Sequence, residues 1–326
     1  MKRSLWRYAV LCIIGLMLVP AWGWAAEVVL YSSNPPELLD MVSQGFEKKT
    51  GIKVSTVRLG TGEAMKRIAA EKDKPLCDVF WSGDVAVLDN SKQYFLPYKS
   101  REARALPKNY IEKEGRWTSS NAHVMVIMYN KSLVKESEKP KAWKDLFLPK
   151  WKGKVVIANP EKSGSAYAQV YGIYKLYGWD GLTKLIGNAK ILDSSSLIYK
   201  GVAGGEYPIG VTMEYAAYRY VAGGSKDVGI VYAAAGAIVA PEGAAVILNS
   251  PHPQEAKKFF DYLISKPVQE EVFEKFYRRP ARTDAKTIAG LPPLKKIRVL
   301  KKFDPLEANV LEKDILKKWK EIVLSR

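Results

Sequence analysis

From Glu27 onward the chain alternates short β-branched runs with segments of helical periodicity, and this alternation constrains the fold more than any other feature. Glu27-Val28-Val29-Leu30-Tyr31 is strand-forming and ends in the turn Ser32-Ser33-Asn34-Pro35-Pro36. Pro36 suits the first turn of a helix. There Leu38, Leu39, Val42 and Phe46 recur at helical spacing until Lys48-Lys49-Thr50-Gly51 supplies basic charge and a glycine stop. Residues 52–57 read as a second strand, 61–71 as a second helix and 77–81 as a third strand. Such a succession predicts a parallel sheet with crossover helices.

A second series starts near residue 125. Segment 119–129 is apolar with weak helical periodicity. Beyond it, 155–158, 209–213 and 228–238 read as strands, and 166–177, 180–188, 197–204, 215–221, 253–264 and 267–276 as helices. Two α/β units predict two lobes around a cleft, a preferred place for ligands. The expected division is lobe one at 27–122 plus 243–300, lobe two at 125–242, and a C-terminal helix within 301–326 packed on the lobes.

Residues 1–26 have the three parts of a cleavable signal peptide: the basic start Lys2, Arg3 and Arg7, an apolar run over 8–20, and the small-x-small site Gly23-Trp24-Ala25. The run is shorter than the roughly 18 to 20 residues that a membrane span requires. Cys12 lacks the small-residue setting of a lipid-bearing cysteine. A periplasmic mature protein starting near Ala26 or Glu27 is expected. Its single cysteine, Cys77, rules out an internal disulfide and reads as a small buried hydrophobe.

With 51 Lys and Arg against 34 Asp and Glu, the formal charge is +17. Such a balance draws anionic solutes and surfaces by long-range attraction. Nucleic acid is not the expected partner, since neither zinc-finger spacing nor an RNA-recognition signature is present. No catalytic triad, Walker loop or dinucleotide fingerprint appears either, and the two histidines, His123 and His252, stand apart from Cys, Asp and Glu at metal-ligand spacing. An enzyme is not expected.

The most specific local feature is Asn159-Pro160-Glu161-Lys162-Ser163-Gly164-Ser165-Ala166-Tyr167, which follows an expected strand and opens an expected helix. Unpaired helix amides, the hydroxyls of Ser163 and Ser165, and Gly164 for close approach make an anion cradle, although the same serines equally suit plain helix capping. Asp193-Ser194-Ser195-Ser196 repeats the arrangement and nominates Ser195. At strand ends, Ser32, Ser33 and Asn34, then Ser82 and Asp84, occupy the positions where open α/β sheets bind ligands. Glu214 and Tyr215 follow the strand 209–213, suited to the hydroxyl or amine end of a solute or, alternatively, to Fe(III).

Taken with Val28 to Ser33, Phe46 to Val54, Pro75 to Trp81, Gly205 to Gly210 and Arg279 to Asp284, these segments resemble the periplasmic solute-binding proteins of ABC importers. The resemblance is to the branch with ferric-ion-, hexose-phosphate-, 2-aminoethylphosphonate- and phosphoglycerate-binding members, and it covers the mature chain. It implies a two-lobed type II periplasmic-binding-protein fold of α/β class, hinge crossover strands and a monomer that delivers its solute to an inner-membrane permease. A membrane sensor kinase is the alternative recipient. Ferric-binding members carry a histidine after the first strand, a glutamate after the third and two consecutive tyrosines before the hinge. The matching positions here are Pro35, Gly83 and the pair Glu214, Tyr215, so one tyrosine remains. The resemblance therefore implies a small phosphonate or phosphorylated solute with no cofactor, the alternative being Fe(III) as cargo with Glu214, Tyr215 and a synergistic anion.

Overall fold

The computed structural model describes residues 26–326, so the signal peptide and Cys12 lie outside the described residues. Strand β1 (Glu27–Ser32) leads into helix α1 (Pro36–Thr50), then β2 (Lys53–Arg58), α2 (Thr61–Ala70), β3 (Val79–Asp84) and α3 (Val85–Asn90). Strand β1 pairs in parallel with both β2 and β3. Side chains alternate across a strand. Val28 and Leu30 consequently join Leu38, Val42 and Phe46 of α1 on one face, while Tyr31 joins Ala64, Met65 and Ile68 of α2 on the other.

Strand β4 (Thr118–Asn130) is buried throughout its length. The second series follows as β5 (Val155–Ala158), α4 (Gly164–Asn188), β6 (Ala189–Leu192), α5 (Ser195–Ala203), β7 (Ile209–Met213), α6 (Glu214–Ala222) and β8 (Val228–Val231). The return is β9 (Val239–Val246), followed by α7 (Pro253–Ile264), α8 (Lys266–Phe276), β10 (Arg279–Pro280) and α9 (Pro305–Leu324). Strand order is β2-β1-β3-β9-β4-β7-β5-β6, with β8 and β10 also on β4.

The long strands β4 and β9 join the lobes. Thr118 to Val124 of β4 pair with β9, which also pairs with β3, whereas Met125 to Tyr129 pair with β7. The second lobe packs β4, β5 and β7 against α4 and α5, and α9 completes this core with Ala308, Ile315, Trp319 and Ile322. Helix α9 also touches α3 through Asn309 to Asp89 and Asn90 to Glu312.

Two sequence expectations are corrected. Segment 119–129 is strand, and its apparent helical periodicity came from burial on both faces, which removes the polar alternation of a half-exposed strand. The strand expected over 228–238 stops at Val231 and resumes as β9, since a loop carrying Gly236 at φ 117° intervenes. The helices expected over 166–177 and 180–188 both form, as the two halves of α4, separated by a break at Gly178, where φ is 64° and ψ is −163°.

Candidate functional site

A parallel strand delivers the chain to its C-terminal end, where the next helix begins. Both lobes turn that edge of their sheets toward the same space, a cleft of about 850 Å³. Its lobe-one wall carries Ser33 after β1, Arg58 ending β2, Thr61 starting α2, and Ser82 and Asp84 before α3. The lobe-two wall carries Ser163 and Ser165 at α4, Ser195 and Tyr199 on α5, and Tyr215 and Arg219 on α6. Each of these helices directs the positive end of its dipole at the cleft.

The hydroxyls form two clusters. Ser163 Oγ lies 2.7 Å from Ser195 Oγ and 3.1 Å from Ser165 Oγ, and Ser165 and Ser195 are 3.0 Å apart. Ser163 also caps α4, accepting from the Ala166 N–H at 3.4 Å. Opposite them, Ser33 Oγ lies 2.7 Å from Ser82 Oγ and 3.3 Å from Thr61 Oγ1. Ser33 and Thr61 also reach the Ser82 carbonyl, at 3.1 and 3.4 Å, and hydroxyls that share such interchangeable bonds can reorient to donate to an anion.

At the hinge the cleft meets a buried charge cluster. His123 Nε2 stands 2.6 Å from Glu242 Oε2, and Arg278 Nη1 donates to the same oxygen at 3.0 Å. Arg278 Nη2 donates to the Tyr215 hydroxyl at 2.9 Å, with the guanidinium 4.1 Å from that ring centre. Burial pushes Glu242 up, but the charges of His123 and Arg278 outweigh it and hold the carboxyl below its ordinary range. Burial raises the Tyr215 phenol far above its ordinary range, against the pull of Arg278.

Seven of the eleven residues nominated from sequence line the cleft: Ser33, Ser82, Asp84, Ser163, Ser165, Ser195 and Tyr215. Four do not. Ser32 turns inward and donates to the Trp81 carbonyl at 2.6 Å, and Asn34 is fully buried with no polar partner for its side chain. Gly164 faces Asp84, where a β-carbon would stand 3.2 Å from the Asp84 nitrogen. Glu214 is held by Arg279, whose Nε and Nη2 donate at 2.6 and 2.9 Å, and by the Tyr232 hydroxyl. It is a structural anion rather than a wall of the cleft. His123, Glu242, Arg278, Arg58 and Arg219 were missed. The tandem arginines 278 and 279 after α8 were the visible hint, but their partners lie up to 155 residues away in sequence. Among the described residues no group of three or more His, Cys, Asp or Glu is placed to hold a metal ion.

Asp84 caps α3 through the Ala86 N–H at 2.9 Å, while its second carboxyl oxygen is buried without a partner. Burial, opposed by that N–H and aided by Glu312 and Glu242, raises it from 3.8 to about 7. Between those values the folded state keeps a proton that the unfolded state has lost, so stability falls as pH rises through this window. Asp84→Asn retains a capping oxygen. It should flatten the decline and be more stable at pH 8, by on the order of 2 kcal/mol. Urea denaturation of both proteins between pH 5 and 8 checks this, and parallel pH profiles would refute it.

A family model described as bacterial extracellular solute-binding protein matches residues 74–304. The chain belongs to this family. Among its relatives, the Fe(3+)-binding periplasmic protein of Serratia marcescens is 27% identical over 259 residues, which cover 74% of this chain and 75% of that protein. The putative 2-aminoethylphosphonate-binding periplasmic protein of Salmonella typhimurium is 24% identical over 304 residues, covering 87% and 86%. In structure, the periplasmic binding protein AfuA from Actinobacillus pleuropneumoniae, solved with fructose-6-phosphate, aligns with a TM-score of 0.86 at 22% identity over 91% of this chain and 98% of that one. The last comparison establishes the two-lobed α/β fold. Family members are solute-binding proteins rather than enzymes.

Proposed function

We propose that this protein is the periplasmic solute-binding component of an ABC importer, that it captures a small phosphonate or phosphorylated metabolite, and that it delivers this solute to an inner-membrane permease. The observation that carries the reading is the pair of facing hydroxyl clusters, Ser163, Ser165 and Ser195 against Ser33, Thr61 and Ser82, set at helix N-termini in one cleft. Neutral donors at the positive ends of helix dipoles suit a phosphoryl or phosphonyl group. Relatives are named for both Fe(3+) and 2-aminoethylphosphonate. The electrostatics favour the anion. Tyr215 and Glu214 both accept from arginines, so Fe(III) at these groups would have to enter beside two guanidiniums.

The test is a thermal-shift panel on ligand-stripped protein with phosphate, 2-aminoethylphosphonate, hexose phosphates, phosphoglycerate, and Fe(III) with and without phosphate. A true ligand at about a hundred times its Kd adds about 2.7 kcal/mol of stability. Stabilisation by a phosphorylated or phosphonate compound is expected, with affinity falling about tenfold or more in Ser163→Ala/Ser165→Ala. Stabilisation only by Fe(III), lost in Tyr215→Phe, would overturn the reading.

A further inference from the structure

The cleft contains more positive charge than a single serine-bound anion uses. Ser195 and Tyr199 stand at i and i+4 on α5, and Tyr215 and Arg219 at i and i+4 on α6, so each pair shares one helix face. From lobe one Arg58 faces the same space, its Nε donating to the Asn34 carbonyl at 3.1 Å. Arg278 enters from the hinge through Tyr215. Tyr199 lines the cleft with all three arginines. Burial raises its phenol, and the positive charges of Arg219, Arg278 and Arg58 all pull against that rise. Three guanidiniums, from lobe one, lobe two and the hinge, therefore line the same cleft as Tyr199.

Acidic residues of the cleft leave part of this charge unbalanced. Glu242 is taken by His123 and Arg278, Asp193 by Lys162, and Glu161 by Lys320. Glu37, Glu63 and Asp84 also line the cleft, but among the described residues neither Arg58 nor Arg219 has a carboxylate within salt-bridge distance. Arg58 and Arg219 come from opposite lobes, so their repulsion opposes closure until a negative group lies between them. The serine cradle is a separate feature, built from hydroxyls that bond one another.

We propose that Arg58, Arg219 and Arg278, which line the cleft with Tyr199 and Tyr215, form a second anion subsite, and that the solute carries two anionic groups on one small skeleton. A phosphate or phosphonate occupies the serine cradle, and a carboxylate or second phosphate lies among the arginines. This inference rests on the anion-binding function proposed above and narrows its substrate class. Solutes ending in an ammonium or a neutral hydroxyl lose the second contact and meet unrelieved guanidinium charge.

Calorimetric titration of the full mature chain with matched pairs tests it: 3-phosphoglycerate against glycerol 3-phosphate, and fructose 1,6-bisphosphate against fructose 6-phosphate. In at least one pair the compound with two anionic groups should bind at least about tenfold tighter. Arg219→Gln should bring that ratio near one, whereas Ser163→Ala/Ser165→Ala should weaken both members of the pair alike. Equal affinities within both pairs, or a ratio that survives Arg219→Gln, would overturn the second subsite and leave the anion-binding function standing. If none of the four compounds binds and Fe(III) alone does, both readings fall together.

Discussion

Arg279→Ala should destabilise the protein by about 3–5 kcal/mol, the loss typical of a buried ion pair deprived of one partner. Arg279 is bidentate to Glu214 at 2.6 and 2.9 Å and also donates to the Pro292 carbonyl at 2.7 Å. Both side chains are almost entirely buried, at 7% and 2% exposure. The pair also ties the lobes together. Arg279 belongs to β10, registered against Ala122 of β4, while Glu214 opens α6 in the second lobe. Alanine would leave a carboxylate in a dry site with only the Tyr232 hydroxyl for company. Replacing both partners, as in Arg279→Met/Glu214→Leu, removes the stranded charge and should recover much of the loss. Urea denaturation of the three proteins measures this directly. A single-variant loss below about 1 kcal/mol, the range of an exposed pair, would show that the pair is hydrated rather than buried.

The same pair marks where reading the sequence stopped short. Glu214 sits at the end of a strand in a binding fold, where a ligand contact is the natural inference, and nothing local reveals that an arginine 65 residues later neutralises it. Elements with local signals were legible. Helix α1 shows its proline, its apolar face and its Gly51 stop, at φ 72° with the glycine N–H bonded to the Glu47 carbonyl. The serines of the cleft were legible as well, because a residue that opens a helix at a strand's C-terminal end is marked by its neighbours alone. Strand β9 was not, since Pro241 and Gly243 are turn residues in isolation, and only pairing with β3 on one side and β4 on the other makes them strand.

The charge cluster at the hinge follows from that pairing. Asn121 opposes Glu242 and Ala122 opposes Pro241 in the β4–β9 register, which brings His123 beside Glu242. β10 then adds Arg278 from the other flank of β4. Residues separated by more than a hundred positions thus become one buried unit through strand register. Because β4 and β9 run through both lobes, this unit lies where any opening of the cleft must bend the sheet. A charge network at that position couples the cleft wall to the hinge: Arg278 touches Tyr215 of lobe two and Glu242 of the crossover strand with one guanidinium.

The two walls of the cleft approach each other most closely at a glycine. Gly62 on α2 of lobe one faces the chain after β5 of lobe two so closely that a β-carbon would stand 2.8 Å from the Glu161 carbonyl oxygen. Backbone on both sides leaves no flexible side chain to move aside. A β-carbon on Gly60 would meet the Lys162 carbonyl at 3.4 Å, an ordinary contact, and one on Gly164 the Asp84 nitrogen at 3.2 Å, so the approach is tightest at residue 62. Gly62→Ala should leave the separate lobes intact, since alanine is the better residue within a helix. The lobes would then stop short of the closed arrangement, in which hydroxyls from the two sides face each other. Overpacking of this kind costs about 1–3 kcal/mol, and if that falls on the closed state alone, solute affinity drops by up to about a hundredfold. Small-angle scattering with saturating solute should show the variant more open than the parent protein, and denaturation without solute should show it equally stable. Full affinity together with parent-like compaction would mean that the Glu161 backbone yields to the methyl group and that this glycine does not limit closure.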